Sequence, residues 1–346
     1  MRKYKIEPIS SDIREALLKK IDGKTKPVGA LGVLERIALQ VGMIQNTLTP
    51  ELNNPHMLVY AADHGIAKEG VSAYPQEVTW QMVMNFLREG AAINVFCRQS
   101  NIQLSVVDAG VNYDFSHDHP RLIRNKIQKS TESFLHVPAM SVKHAQKSID
   151  TSANIVRSIY EQGCNIIGFG EMGIGNTASA SVLMSVMSDI PIEECVGRGT
   201  GIDTYGLKKK QKNLSSAIAK HGKPDTVLKV LSTYGGFEIA QMVGGILQAA
   251  ELKMIVLIDG FISTVAFFLA QAIEPDVKDY CLFCHQSSEH AHRRLLRLLD
   301  AKPLLDLEMR LGEGTGAAVA YPIIQSAVNF LNQMASFESA QISKQK

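Results

Sequence analysis

The chain has 346 residues, 45% hydrophobic and 20% charged, with a formal net charge of +2. That balance suits a soluble globular protein with an ample core, and it gives no reason to expect nucleic acid or an anionic membrane surface as a partner. The basic start, Met1-Arg2-Lys3-Tyr4-Lys5, leads into no apolar stretch, so no signal peptide is expected, and the five scattered cysteines read as reduced thiols of a cytoplasmic protein.

At about 150 residues per domain, the length fits one large domain with an appendage, or two domains. Ser10-Ser11-Asp12 can cap a first helix that puts Ile13, Leu17 and Ile21 on one face. The stretch from Lys24 to Gly32 breaks it. A second helix is marked by Leu34, Ile37, Ala38, Val41 and Ile44.

The pattern then changes to short apolar runs with polar ends. Met57–Ala62 ends in Asp63-His64-Gly65, and Leu104–Val107 ends in Asp108-Ala109-Gly110. Cys164–Ile167 runs into a glycine-rich turn. Met254–Ile258 ends in Asp259-Gly260-Phe261, and Tyr280–Cys284 ends in His285. Helical patterns lie between, at 78–97, 148–162 and 226–231. This alternation predicts an α/β fold: a doubly wound parallel sheet with helices on both faces. In such sheets ligands sit beyond the carboxyl ends of the strands. The stretch 112–141 reads as irregular. Pro322 is expected to open a last helix through Ile324, Val328 and Leu331, and the tail from Ser336 to fray. The greasiest run, Met254 to Ala270, carries Asp259, Gly260 and Ser263 and reads as buried strand, turn and helix, not as a membrane span.

The most informative stretch is Ile166 to Ala180. An apolar run meets Gly168, Gly170, Gly173 and Gly175, and a small-residue helix starts near Asn176 or Thr177. Bare N–H groups at a helix start, with no Cβ in the way, suit a phosphate. Glu171 in that turn would repel a phosphate and so has its own task. Gly168, Gly170 and Gly173 also spell a dinucleotide fingerprint. That motif wants an acidic strand end about 20 residues on, and Ser188-Asp189-Ile190-Pro191 is no strand end.

Four further clusters carry competing readings. Gly197 to Asp203, followed by Lys208-Lys209-Lys210, is either a second phosphate contact or a solvated turn before a basic helix. Arg310 to Gly316 exposes Glu313 between glycines, as a general base if desolvated and as an ordinary loop carboxylate otherwise. Tyr74 to Gln81 could sandwich a flat heterocycle or simply begin a helix with core aromatics. Cys281, Cys284 and His285, with His290 and His292, formally match haem or zinc patterns. On a strand the two cysteines face opposite ways, so no metal is expected.

Taken together, the motifs resemble the nicotinate-nucleotide–dimethylbenzimidazole phosphoribosyltransferase family. The matching stretches are Lys26 to Gly32, Ala62 to Gly65, Tyr74 to Gln81, Gly170 to Thr177, Gly199 to Asp203, Asp259 to Phe261 and Arg310 to Gly316, in order over nearly the whole chain. Two positions depart from the family pattern: Ala178 replaces a second threonine, and Ala291-His292 stands where Gly-His is usual.

The resemblance implies a large Rossmann-like domain at 51–303 and a small helical domain from 1–50 and 304–346, in a cytoplasmic homodimer whose partner subunit lies near the site. It implies transfer of phosphoribose from nicotinate mononucleotide to 5,6-dimethylbenzimidazole, with no cofactor. Glu313 would be the base and Glu171 a transition-state stabiliser or ribose partner. Ser72, Tyr74, Gln81, Met82 and Leu311 would hold the benzimidazole. Gly173, Ile174, Gly175, Asn176, Thr177, Gly199, Gly201, Asp203 and Lys210 would hold the phosphate and ribose. Two rivals stay open: a non-catalytic binder of benzimidazoles or their nucleosides, and a nicotinamide-dinucleotide oxidoreductase.

Overall fold

A computed structural model describes residues 2–116, 118–199 and 201–343. Thr200, within one of the glycine clusters, lies outside the described residues, as does the end of the tail at 344–346.

Six strands form one sheet: β1 (His56–Ala62), β2 (Gln103–Gly110), β3 (Leu122–Arg124), β4 (Ile166–Met172), β5 (Ile255–Ile258) and β6 (Cys281–Phe283). Their order is β3-β2-β1-β4-β5-β6, and every pairing is parallel. The chain winds outward from β1 to β3, then returns to lay β4 on the other side of β1. At such a reversal the connections leave in opposite directions and a crevice opens beyond the strand ends. β1 and β5 are buried at every residue, which requires cover on both faces and explains their apolar composition from Met57 to Ala62 and from Ile255 to Ile258. The helix Phe237–Glu251 packs on β1, β2, β4 and β5 and against the helix Val142–Glu161.

The expected doubly wound fold is present, with local differences. β4 continues through Gly168 and Gly170 as far as Met172, so Glu171 stands on the strand end and the turn begins only at Gly173. The reason is close packing. A Cβ on Gly170 would collide with the backbone of Glu313 and Gly314, so glycine there serves an approach between two chain segments. The irregular stretch contains a short edge strand, β3. The pattern at 78–97 is two helices, Val78–Leu87 and Ala92–Gln99, broken where Glu89 takes φ 62°.

The last helix, Thr315–Gln333, starts well before Pro322, which lies inside it. Thr315 N–H and its hydroxyl both donate to the Gly312 carbonyl, at 3.0 and 2.7 Å, closing the first turn there. Pro322 then forfeits an interior bond rather than opening the helix. The tail does not fray at Ser336: Thr25 N–H donates to Ala335 O and Phe337 N–H to Gly23 O, both at 3.0 Å. The first helix, Arg14–Asp22, is capped at Ile13 without a side-chain bond. The helix Val33–Ile44 packs against both Arg14–Asp22 and Thr315–Gln333, so the two chain ends meet in one helical cluster. Among the described residues, no helix is long and apolar enough to cross a membrane.

Candidate active site

A cavity of about 450 Å³ opens beyond the ends of β4, β5 and β6. Its floor is built at the strand ends: Glu171 to Ile174 at the end of β4, Asp259 to Ser263 after β5, and His285 and Ser287 after β6. Arg310 to Glu313 close one side and Tyr74 another. Three helices begin at this cavity, Asn176–Ser188, Phe261–Ile273 and Thr315–Gln333, so three positive dipole ends converge on it. That field suits an anionic group.

Glu313 sits between Gly312 and Gly314, both with φ 86°, and itself adopts φ 64°. A non-glycine residue in the left-handed region costs about 1–3 kcal/mol and persists only where its surroundings enforce it. Here they do. Asp259, just after β5, accepts N–H from Gly314 at 3.1 Å and from Ala317 at 2.9 Å. Gly170 presses on the same turn from below. The Glu313 side chain is buried, and its Oε2 has no hydrogen-bond partner. Burial, then the Asp259 charge, push its carboxyl up to about 7.

Glu171 is also buried. Burial, followed by the charges of Glu238, Asp259 and Glu313, pushes it up to about 8, while a hydrogen bond from the Asn176 amide pulls the other way. Two carboxyls thus face one cavity with proton affinities near neutrality, an arrangement typical of acid–base sites.

Of the residues expected from the sequence, Glu171, Glu313, Tyr74, Leu311, Gly173, Ile174, Asn176, Thr177 and Gly199 line this cavity. The others are placed elsewhere. Lys210 is fully buried behind the wall, where its ammonium donates to Thr177 Oγ1 at 3.0 Å and to Gly197 O at 3.4 Å. Burial lowers it to about 8, partly offset by Glu289. Asp203 caps the helix Thr204–His221, accepting Gly206 N–H at 2.7 Å, and Gly201 is exposed beside it. Gly175 packs on His64 and Ile66.

Ser72 accepts the Tyr74 N–H at 3.2 Å, and it, Gln81 and Met82 are outside the cavity lining. Trp80 is not free to sandwich a ligand, because it stacks on Tyr113 with ring centroids 4.7 Å apart. The amides of the central turn are partly spent as well: Ile174 N–H goes to Thr79 Oγ1 and Asn176 N–H to Gly173 O, each at 3.1 Å.

Sequence reasoning missed Asp259, His285, Ser287, Glu289 and Arg310 as site residues. The signal was present: Asp259 and His285 each follow an apolar strand run. What was lacking was a reason to prefer these strand ends over Asp63 or Asp108. Only the tertiary packing that opens the cavity beyond β4, β5 and β6 supplies it.

Residues 6–342 match the profile of a phosphoribosyltransferase family. The chain belongs to this phosphoribosyltransferase family. It is 55% identical over 346 residues to the nicotinate-nucleotide–dimethylbenzimidazole phosphoribosyltransferase of Dechloromonas aromatica (strain RCB), covering 99% of each chain. It is 44% identical to the protein of that name from Phocaeicola vulgatus, again over 99% of each. The crystal structure of CobT from Thermus thermophilus superposes with a TM-score of 0.93 at 38% identity, covering 96% of this chain and 100% of that one. This phosphoribosyltransferase is therefore an enzyme. The dinucleotide reading has no support, since the strand after β4 ends at Ile258 and is followed by Asp259, far outside the spacing that fingerprint needs. Among the described residues, no three His, Cys, Asp or Glu side chains are placed to hold a metal.

Proposed function

We propose that this enzyme moves the 5-phosphoribosyl group from nicotinate mononucleotide to 5,6-dimethylbenzimidazole, giving α-ribazole 5′-phosphate and nicotinate. The observation that carries this reading is the lone Oε2 of Glu313, buried and unpartnered beside the cavity. In the nucleotide, the pyridine nitrogen is already cationic, so nicotinate departs without help from a general acid. The benzimidazole must lose its ring N–H as the other nitrogen attacks the ribose carbon. One base suffices, and Glu313 near 7 is matched to that proton at neutral pH. Attack opposite the leaving group converts the β-linkage into an α-linkage.

Glu171, near 8, is mostly protonated at pH 7, which favours hydrogen bonding to a ribose hydroxyl over charge stabilisation. The phosphate rests by Thr177 and Gly199, with Lys210 giving its positive charge through the wall. Tyr74 and Leu311, 53% and 55% exposed at the rim, supply apolar surface for the flat base. A rim this open is consistent with a homodimer whose partner covers it. The same reading includes a cytoplasmic setting, a small domain of 1–50 with 304–346, and Ser72, Gln81, Met82, Gly175, Gly201 and Asp203 as outer contacts.

Incubation with nicotinate mononucleotide and a panel of benzimidazoles, read by product mass, tests the proposal. Absence of any ribosylated benzimidazole would refute it.

A further inference from the structure

The Ala62-Asp63-His64-Gly65 stretch carries a histidine to which the transfer reaction assigns no part. His64 lies just past the end of β1, and its Nε2 is 2.6 Å from Oε1 of Glu238, at the start of the helix Phe237–Glu251. Neither side chain has any solvent exposure. Burying such a pair is costly unless its geometry is good, so its place in the fold needs a reason.

The place is the switch point between β1 and β4, directly beneath the 173–175 turn. A Cβ on Gly173 would press on the Ala62 carbonyl and the His64 ring, and a Cβ on Gly236 would press on both the His64 ring and the Glu238 carboxyl. The surroundings are fixed: Gln76 Nε2 donates to the His64 carbonyl at 3.2 Å, and Thr79 Oγ1 accepts the Ile174 N–H at 3.1 Å. His64 Nδ1 and Glu238 Oε2 each have no hydrogen-bond partner.

Glu171 is two residues upstream of Gly173. Asn176 from the next helix donates a hydrogen bond to it, and the charges of Glu313, Asp259 and Glu238 act on it. Behind the last two stand His64 against Glu238 and His285 against Asp259.

We propose that His64 and Glu238 are a positioning pair for the nucleotide half of the site, propping the 173–175 turn from beneath and coupling to Glu171 at its head. Naming that half rests on the phosphoribosyl-transfer reading, whereas the coupling is a property of this chain alone. After burial, Glu238 is the first charge that raises Glu171. Glu238→Gln keeps the volume and still accepts from His64, but removes the charge. Glu171 then gives up its proton at lower pH.

The test is a carbon-13 carboxyl titration of the ligand-free protein, with the Glu171 signal identified by its loss in Glu171→Gln. The midpoint is expected to fall in Glu238→Gln and to stay near the native value in Glu238→Asp, which retains the charge. An unmoved midpoint in Glu238→Gln overturns the coupling.

Should that variant not fold, the native protein decides. The His64 ring nitrogens are expected to register a step at the Glu171 midpoint, absent in Glu171→Gln. Flat His64 signals, or a step that survives Glu171→Gln, overturn it. In turnover, Glu238→Gln is expected to raise KM for nicotinate mononucleotide several-fold and leave KM for the benzimidazole unchanged. An equal rise in both overturns the positioning role. Native protein that forms no product removes the phosphoribosyl reading and leaves the Glu171 titration standing.

Discussion

Asp259 controls Glu313 twice, through the backbone and through charge. Its carboxylate accepts the Gly314 N–H at 3.1 Å and the Ala317 N–H at 2.9 Å, which fixes Glu313 in its left-handed turn. The same carboxylate adds to burial in raising Glu313 to about 7. Burial raises Asp259 too, while His285 and these amides favour its charged form. One side chain at the end of β5 therefore sets both the place and the proton affinity of the proposed base.

Asp259→Asn separates the two effects. Asparagine can keep one amide acceptor contact, but not the charge. Glu313 should lose its proton at lower pH, so the acid limb of kcat/KM moves down. A loosened turn should also lower kcat, by about 10²-fold if the carboxyl shifts by about 1 Å. A pH–rate profile with an unmoved acid limb would remove the electrostatic half of this account.

Glu313→Gln should bind nicotinate mononucleotide with native affinity and lose about 10²–10⁴-fold in kcat. In the native enzyme the rate should climb as Glu313 ionises through about 7 and fall as Glu171 loses its proton through about 8, giving a narrow bell. Steady-state kinetics across both limbs of the bell check both statements. A variant with near-native turnover would disqualify Glu313 as the base.

Lys210→Met keeps the buried stem and deletes the ammonium that bonds Thr177. If that charge also serves the phosphate, its removal costs up to the worth of a charge-assisted hydrogen bond, about 1.5–3 kcal/mol or roughly 10- to 100-fold. That loss should appear in the dissociation constant of the nucleotide and not in that of the benzimidazole. Calorimetric titration with each ligand separates the cases, and equal weakening of both would place Lys210 away from the phosphate.

Stability should depend on pH through the same carboxyls. Glu171 and Glu313 hold their protons more tightly when folded than in the unfolded chain, where glutamate titrates near 4.5. The folded state thus binds more protons between that value and about 7–8. Their contribution is fully present at low pH and is lost as pH rises through that window, at about 1.4 kcal/mol per group per pH unit. Glu171→Gln, which cannot ionise, should therefore melt higher than native protein at about pH 9 and show little difference at about pH 5. Calorimetry at the two pH values measures this, and a variant equally destabilised at both would contradict it.

Much of the site was legible because motif and strand end coincide along the chain. Gly173, Ile174, Asn176, Thr177, Leu311 and Glu313 were expected at a ligand, and all of them line the cavity. Lys210, Gln81 and Asp203 show the limit. Each lies within a motif, yet one is buried behind the wall, one is exposed on its helix, and one is spent as a cap. Sequence neighbourhood does not reveal which way a side chain points once its helix is packed.

The chain's local pattern determined every strand but the short edge strand β3, the parallel α/β class and the glycine turns, because apolar runs and φ preferences act over a few residues. The tertiary structure alone decided that Glu171, Asp259 and Glu313, far apart in the chain, face one cavity. It alone supplied the water exclusion that brings the proton affinities of Glu171 and Glu313 near neutrality. Desolvation depends on everything packed around a carboxyl, and so it is written in no single stretch of the chain.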